Sequence, residues 1–186
     1  MSRFFGLIAL LVLLPLKFAH AEAPAQQPDL VSFGLGYMDF DKTEAGKQSG
    51  DFRGEYRWGM SLLPKVLPYF NTWDPYVQFH PFAGVETTTR GALWGGGGWA
   101  MDWYIGRHGI FTWSEGVGFF EPGSMSRLGS FIEFRSQAEL GWRFTNEMRL
   151  TGEISHISNA GLTQHNPGAE IVGVYLHVPA ATLFGR

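Results

Sequence analysis

The stretch Ile132-Glu133-Phe134-Arg135-Ser136-Gln137-Ala138-Glu139-Leu140-Gly141-Trp142-Arg143-Phe144 decides the fold when it is read two residues at a time. Successive side chains of a strand point to opposite sides. Ile132, Phe134, Ala138, Leu140, Trp142 and Phe144 therefore share one face, and Glu133, Arg135, Gln137, Glu139 and Arg143 share the other. The same period recurs from Phe52 to Met60, with Phe52, Tyr56, Trp58 and Met60 opposed to Arg53, Glu55 and Arg57. A soluble sandwich also alternates, but its water-facing strands do not call for so many aromatic side chains. Segments of about ten residues, apolar outward and charged inward, are the pattern of a transmembrane β-barrel.

Working outward from these two stretches, similar segments fall at about 30–40, 51–61, 75–88, 92–106, 109–120, 130–144, 147–159 and 169–178. Eight strands make a small barrel whose interior is filled by side chains. The fold expected is thus all-β, an eight-stranded antiparallel transmembrane barrel. Arg53, Glu55, Arg57, Glu133, Arg135, Glu139, Arg143, Arg149 and Glu153 are its expected lumen charges, paired with one another because isolated buried charges are too costly. Short connections at 106–109 and 145–146 read as one barrel end, and the longer ones at 41–50, 121–129 and 160–168 as the other. The segment 62–74 is long where a tight turn is expected, and is placed at the membrane surface.

Residues 1–21 carry Arg3, an apolar core from Phe4 to Leu14, Pro15 and the Ala19-His20-Ala21 step, the composition of a secretory signal peptide. Residues 22–186 are expected to be a single barrel domain. The apolar core of about 11 residues is too short for a membrane-spanning helix, which needs about 20. The chain contains no cysteine, so its stability must come from packing and strand closure. Aromatic residues at 16%, 25 glycines and only 17% charged residues suit strands and tight turns. A net charge of −3 gives no basic footprint for nucleic acid, which is excluded as a partner.

The candidate chemistry lies in Gly152-Glu153-Ile154-Ser155-His156-Ile157-Ser158-Asn159-Ala160-Gly161, followed by Glu170. His156 and Ser158 share a strand face and stand about 6.6 Å apart along it. Met148, Leu150 and Ile154 lie on that face, and Val172, Val174, Leu176 and Val178 continue it beside Glu170 in the next strand. Antiparallel pairing of His156 with Glu170 requires a turn centred near residue 163, where Gly161-Leu162-Thr163-Gln164-His165-Asn166-Pro167-Gly168 supplies turn residues. Glu170 can then orient the imidazole while its other nitrogen takes the proton of Ser158, the nucleophile, base and orienter logic of acyl transfer. Asn159 and the backbone N–H groups around Ala160 and Gly161 are candidates for the oxyanion site. With both termini of an even-stranded barrel on the inner side, this set belongs at the outer leaflet.

His156-x-Ser158-Asn159 followed by Glu170, inside an aromatic eight-stranded chain with an export signal, resembles the lipid A 3-O-deacylase (PagL) family. The resemblance implies an outer-membrane serine esterase that hydrolyses the 3-O-linked acyl chain of lipid A in lipopolysaccharide. It implies His156 as base, Ser158 as nucleophile, Glu170 as orienter and Asn159 with Gly161 near the oxyanion. It further implies no metal or other cofactor, and it allows for a homodimer. An outer-membrane phospholipase with the same triad and a non-catalytic structural or adhesin barrel are the alternatives, the latter weakened by loops of ordinary length.

The remaining motifs have plainer readings. His80, His108 and His177 lack metal-ligand spacing and are expected to be structural or interfacial, and His165 to be a solvated loop residue. Gly95-Gly96-Gly97-Gly98 lacks the ending of a phosphate loop and suits close packing of a neighbour. Trp94, Trp99, Trp103, Trp113 and Trp142 are assigned to aromatic girdles at the membrane interfaces.

Overall fold

The computed structural model of the chain describes residues 27–41, 48–62 and 77–185. The leader at 1–21, most of the first long connection and nearly all of the 62–74 segment lie outside the described residues.

Eight strands follow one another in sequence: β1 (Leu30–Met38), β2 (Ser49–Arg57), β3 (Val77–Thr88), β4 (Leu93–Ile105), β5 (Gly109–Glu121), β6 (Ile132–Arg143), β7 (Arg149–Ser158) and β8 (Ala169–Pro179). Each pairs antiparallel with the next, and β1 pairs with β8 to close the barrel. Closure leaves no unpaired edge, which is the condition for a sheet to cross a hydrocarbon layer. A short helix, α1 (Ala180–Phe184), follows β8.

The two faces divide as the period of two requires. Leu140 is 63% exposed while its neighbour Glu139 is 1% exposed. Phe33, Leu35, Phe52, Phe119, Ile154 and Val174 all stand exposed on the outside. The outer wall is therefore the apolar one, the inverse of a water-soluble protein.

The inside is polar and filled. Arg53 Nε lies 2.7 Å from Asp51 Oδ2 and 3.0 Å from Glu86 Oε2, and its Nη1 donates to Gln137 Oε1 at 2.9 Å. Arg57 pairs with both Glu55 and Glu139, and Arg135 with Glu55 and Glu86. Arg149 reaches Asp102 at 2.6 Å and also donates to Gln27, whose buried side chain closes that end of the lumen. His177 Nε2 donates to Glu139 Oε2 at 3.0 Å, which leaves Nδ1 to accept from Ser32 Oγ at 2.7 Å. Of the expected lumen charges only Arg143 is not fully enclosed; it lies at the barrel end and pairs with Glu147 at 3.3 Å.

The tryptophan assignment needs one correction. Trp94 does not join an outer girdle: it points into the barrel and is 1% exposed. Its room comes from glycines on the same inner face, because a Cβ on Gly118 would stand 2.6 Å from the indole and one on Gly96 2.9 Å from it. Arg135 covers the ring at 4.6 Å from its centroid, a cation–π contact in the lumen. The glycine run thus serves close packing, with an indole as the neighbour.

At one barrel end the connections among the described residues are the turns at 106–108 and 144–148. The connections at 122–131 and 159–168 lie at the opposite end, joined there by a short turn at 89–92. His156, Ser158 and Glu170 belong to the end that carries these longer loops.

Candidate active site

The hairpin of β7 and β8 pairs Ile157 with Ala169, His156 with Glu170 and Ser155 with Ile171. Its register places His156 and Glu170 side by side, on the outer face that the exposed Ile154 and Val172 also occupy, where directly opposed side chains meet. His156 Nδ1 donates to Glu170 Oε1 at 3.0 Å, since a carboxylate can only accept. That bond commits the imidazole to the tautomer whose Nε2 is an acceptor. Both side chains are partly exposed, His156 at 22% and Glu170 at 31%. Ser158, the last residue of β7, follows two positions along on the same outer face, opposite Phe134 of β6.

Gly168, which the sequence reading passes over, shapes the pocket around the histidine. It has φ +67°, and a Cβ there would meet His156 Cε1 at 2.5 Å. Only a glycine gives both the left-handed turn into β8 and the room for the ring.

Asn159 takes a different place from an outward-facing donor. Its odd number puts it on the inner face, and it is fully buried. Its Nδ2 has three acceptors within reach of its two N–H groups, Leu128 O at 3.0 Å, Thr163 Oγ1 at 2.9 Å and His165 O at 2.9 Å, while its Oδ1 accepts the Gly161 N–H at 2.9 Å. The backbone N–H of Asn159 in turn donates to Asn166 Oδ1 at 3.1 Å. Asn159 and Gly161 are thus partners within the loop, and together they fix the backbone beside Ser158. Ala160 between them holds a positive φ of 52°, a strained conformation for alanine that this network sustains.

The barrel seam reinforces the other half of the site. Asp39, just beyond β1, has φ 58° and donates its N–H to Glu170 O at 2.6 Å. The carboxylate oxygens of Asp39, Asp41 and Glu170 lie within 4.8 Å of one another. A cation could take one oxygen from each, but Glu170 Oε1 is engaged by His156. The other histidines have their own structural partners: His80 Nδ1 lies 3.1 Å from the carbonyls of Trp58 and Met60, and His108 stacks on Trp142 with ring centroids 4.6 Å apart. His165 supplies its carbonyl to Asn159.

A histidine oriented by a carboxylate, with a serine beside it on the wall of a closed barrel, is a geometry for ester cleavage at a membrane face. Comparison with known proteins gives a family from the sequence and a fold from the structure. Residues 31–179 match the model of the family described as lipid A 3-O-deacylase (PagL). The chain is 33% identical over 72 residues to the lipid A deacylase PagL of Bordetella bronchiseptica, a stretch covering 38% of this chain and 40% of that protein's length. Its fold is similar to that in the crystal structure of the outer membrane enzyme PagL, with a TM-score of 0.60 at 20% identity, covering 81% of this chain and 99% of that one. A de novo designed transmembrane β-barrel is similar at a TM-score of 0.52 and 13% identity, over 85% of this chain and all of that one. By the family match, which takes in every strand but the first residue of β1, this chain belongs to the lipid A 3-O-deacylase (PagL) family.

Proposed function

We propose that this chain is an outer-membrane serine esterase that removes the 3-O-linked acyl chain of lipid A, working from the outer leaflet. The observation that carries the reading is the His156–Glu170 bond of 3.0 Å on an apolar outer wall, two positions from Ser158. Ionisable groups on a lipid face are expensive and call for a purpose. The family match supports lipid A as the substrate.

In this mechanism Glu170 holds the imidazole so that Nε2 faces Ser158. His156 takes the hydroxyl proton as Ser158 Oγ attacks the ester carbonyl, and Glu170 stabilises the imidazolium that results. The charge on the carbonyl oxygen falls beside the backbone of residues 159–161. Asn159 and Gly161 support that backbone with their own N–H groups engaged in the loop, and the Ala160 N–H between them is the donor that stabilises the tetrahedral intermediate. Collapse passes the proton from His156 to the departing sugar oxygen and leaves an acyl-enzyme on Ser158. Water, activated by the same histidine, then releases the fatty acid.

The test is to offer purified protein lipopolysaccharide and phospholipid side by side and to weigh the products by mass spectrometry. Loss of one acyl chain from lipid A, with phospholipid untouched, is the expected result. Cleavage of phospholipid alone would make the chain a phospholipase, and cleavage of neither would leave a non-catalytic barrel.

A further inference from the structure

Glu115 is a carboxylate on the wrong face for a barrel of this kind. It stands on the outward side of β5, next to Val117 and Phe119, which are 48% and 60% exposed on the same face. The bonds it makes among the described residues come from neutral donors: Trp113 Nε1 donates to Oε1 at 3.0 Å and Ser136 Oγ to Oε2 at 2.7 Å. A carboxylate has about four acceptor positions, so two bonds leave capacity for another donor.

Register ties this pair to the catalytic set. Glu115 lies directly opposite Ser136, Ser136 directly opposite His156, and His156 directly opposite Glu170. One polar row therefore crosses four strands of an apolar wall. Ser158 is diagonal to Ser136, a relation that spans about 7–8 Å between strands. Along β7 the row lies on the side of Ser158 away from the 159–168 loop, the direction in which the acyl chain of a lipid held at Ser158 would extend into the membrane.

We infer that Glu115 and Ser136 form a binding subsite for a hydroxyl group on the acyl chain, within a few bonds of the scissile carbonyl, and so select 3-hydroxyacyl esters over plain ones. The substrate hydroxyl donates to a Glu115 oxygen, and Ser136 holds that oxygen pair in place beside His156. A site built to accept a hydroxyl discriminates strongly against the analogue that lacks it, because its own polar groups then go unmatched in an apolar setting. This inference rests on the ester-hydrolase reading, and its test separates the two.

Two synthetic ester amphiphiles are compared, identical except that one carries a 3-hydroxyl on its acyl chain. The full-length barrel is used in detergent, with folding checked by gel mobility before and after heating. The native protein should favour the hydroxylated ester in kcat/KM by about tenfold or more, the scale of one hydrogen bond to a charged group. Glu115→Gln and Ser136→Ala should each bring that ratio to within about threefold of unity, and if one variant does not fold the other decides. A native ratio near unity, or variants that slow both esters equally, would overturn the subsite. Binding of both amphiphiles to Ser158→Ala, followed by tryptophan fluorescence, gives an independent readout. If neither ester is turned over, the hydrolase reading falls. A tighter Kd for the hydroxylated compound that is lost on adding Glu115→Gln would still support the subsite, and equal Kd values would end it.

Discussion

His156 and Glu170 face each other across a hairpin whose paired residue numbers are symmetric about residue 163, so loop length and strand register together bring the imidazole and the carboxylate within 3.0 Å. Insertion or removal of one residue in the loop would shift that pairing and send one of the two side chains into the lumen.

The triad assignment makes ordered demands on rate. Ser158→Ala should abolish nearly all release of fatty acid, and Glu170→Gln should lose a large part of it, with both barrels folding normally. Release by Ser158→Ala at the native rate would assign the nucleophile elsewhere.

Gly168→Ala tests the contact that shapes the histidine pocket. The added methyl group would stand 2.5 Å from His156 Cε1, on a residue at φ +67°. We expect kcat to drop by about tenfold or more if the ring is displaced. The barrel should lose about 1 kcal/mol or somewhat more in a urea titration. Native turnover would show that the ring and loop yield without consequence.

Asn159→Ala removes the bonds that tie the loop to Leu128, Thr163, His165 and Gly161. Cleavage within 160–168 by a protease of broad specificity should then appear in the folded barrel, together with a loss of rate. If Asn159 instead donated to the oxyanion directly, rate would fall while the loop stayed resistant.

The partition of the wall is tested at adjacent positions. Leu140→Arg places a cation on the outer face and should destabilise by up to about 2–4 kcal/mol if it lies near the midplane. Glu139→Gln weakens a buried acceptor used by Arg57, Gln137, Thr151 and His177. Its effect should be about 2–3 kcal/mol, below the roughly 3–5 kcal/mol of a fully stranded buried charge, because Glu55 still pairs with Arg57. A folding titration in lipid or detergent measures both, and little effect from either would mean that inside and outside are misassigned.

Much of this was legible in the residues themselves. A period of two leaves no ambiguity about face, so Ile132 to Phe144 told the wall from the lumen, and the turn residues around 163 gave the His156–Glu170 pairing. Trp94 was misread because it was grouped by residue type, although its even number separates it from Trp99 and Trp103 on the same strand. The same parity separates Asn159 from His156 and Ser158. The relation of Glu115 to Ser136 was not legible, because the connection at 122–131 is too long for its turn to fix the register of β5 against β6. Gly168 stayed hidden because its role depends on how close a ring approaches.

The barrel's filled interior has a consequence for how such an enzyme meets its substrate. With Arg53, Arg57, Arg135 and Arg149 tied into carboxylates and Trp94 packed among them, the core is a solid rod that should carry no ionic current across a planar bilayer. That leaves only sideways traffic for the proposed reaction. Substrate should then arrive and product leave by two-dimensional diffusion along the leaflet, with a rate that follows the mole fraction of substrate among the surrounding lipids and falls on dilution with inert detergent at unchanged bulk concentration.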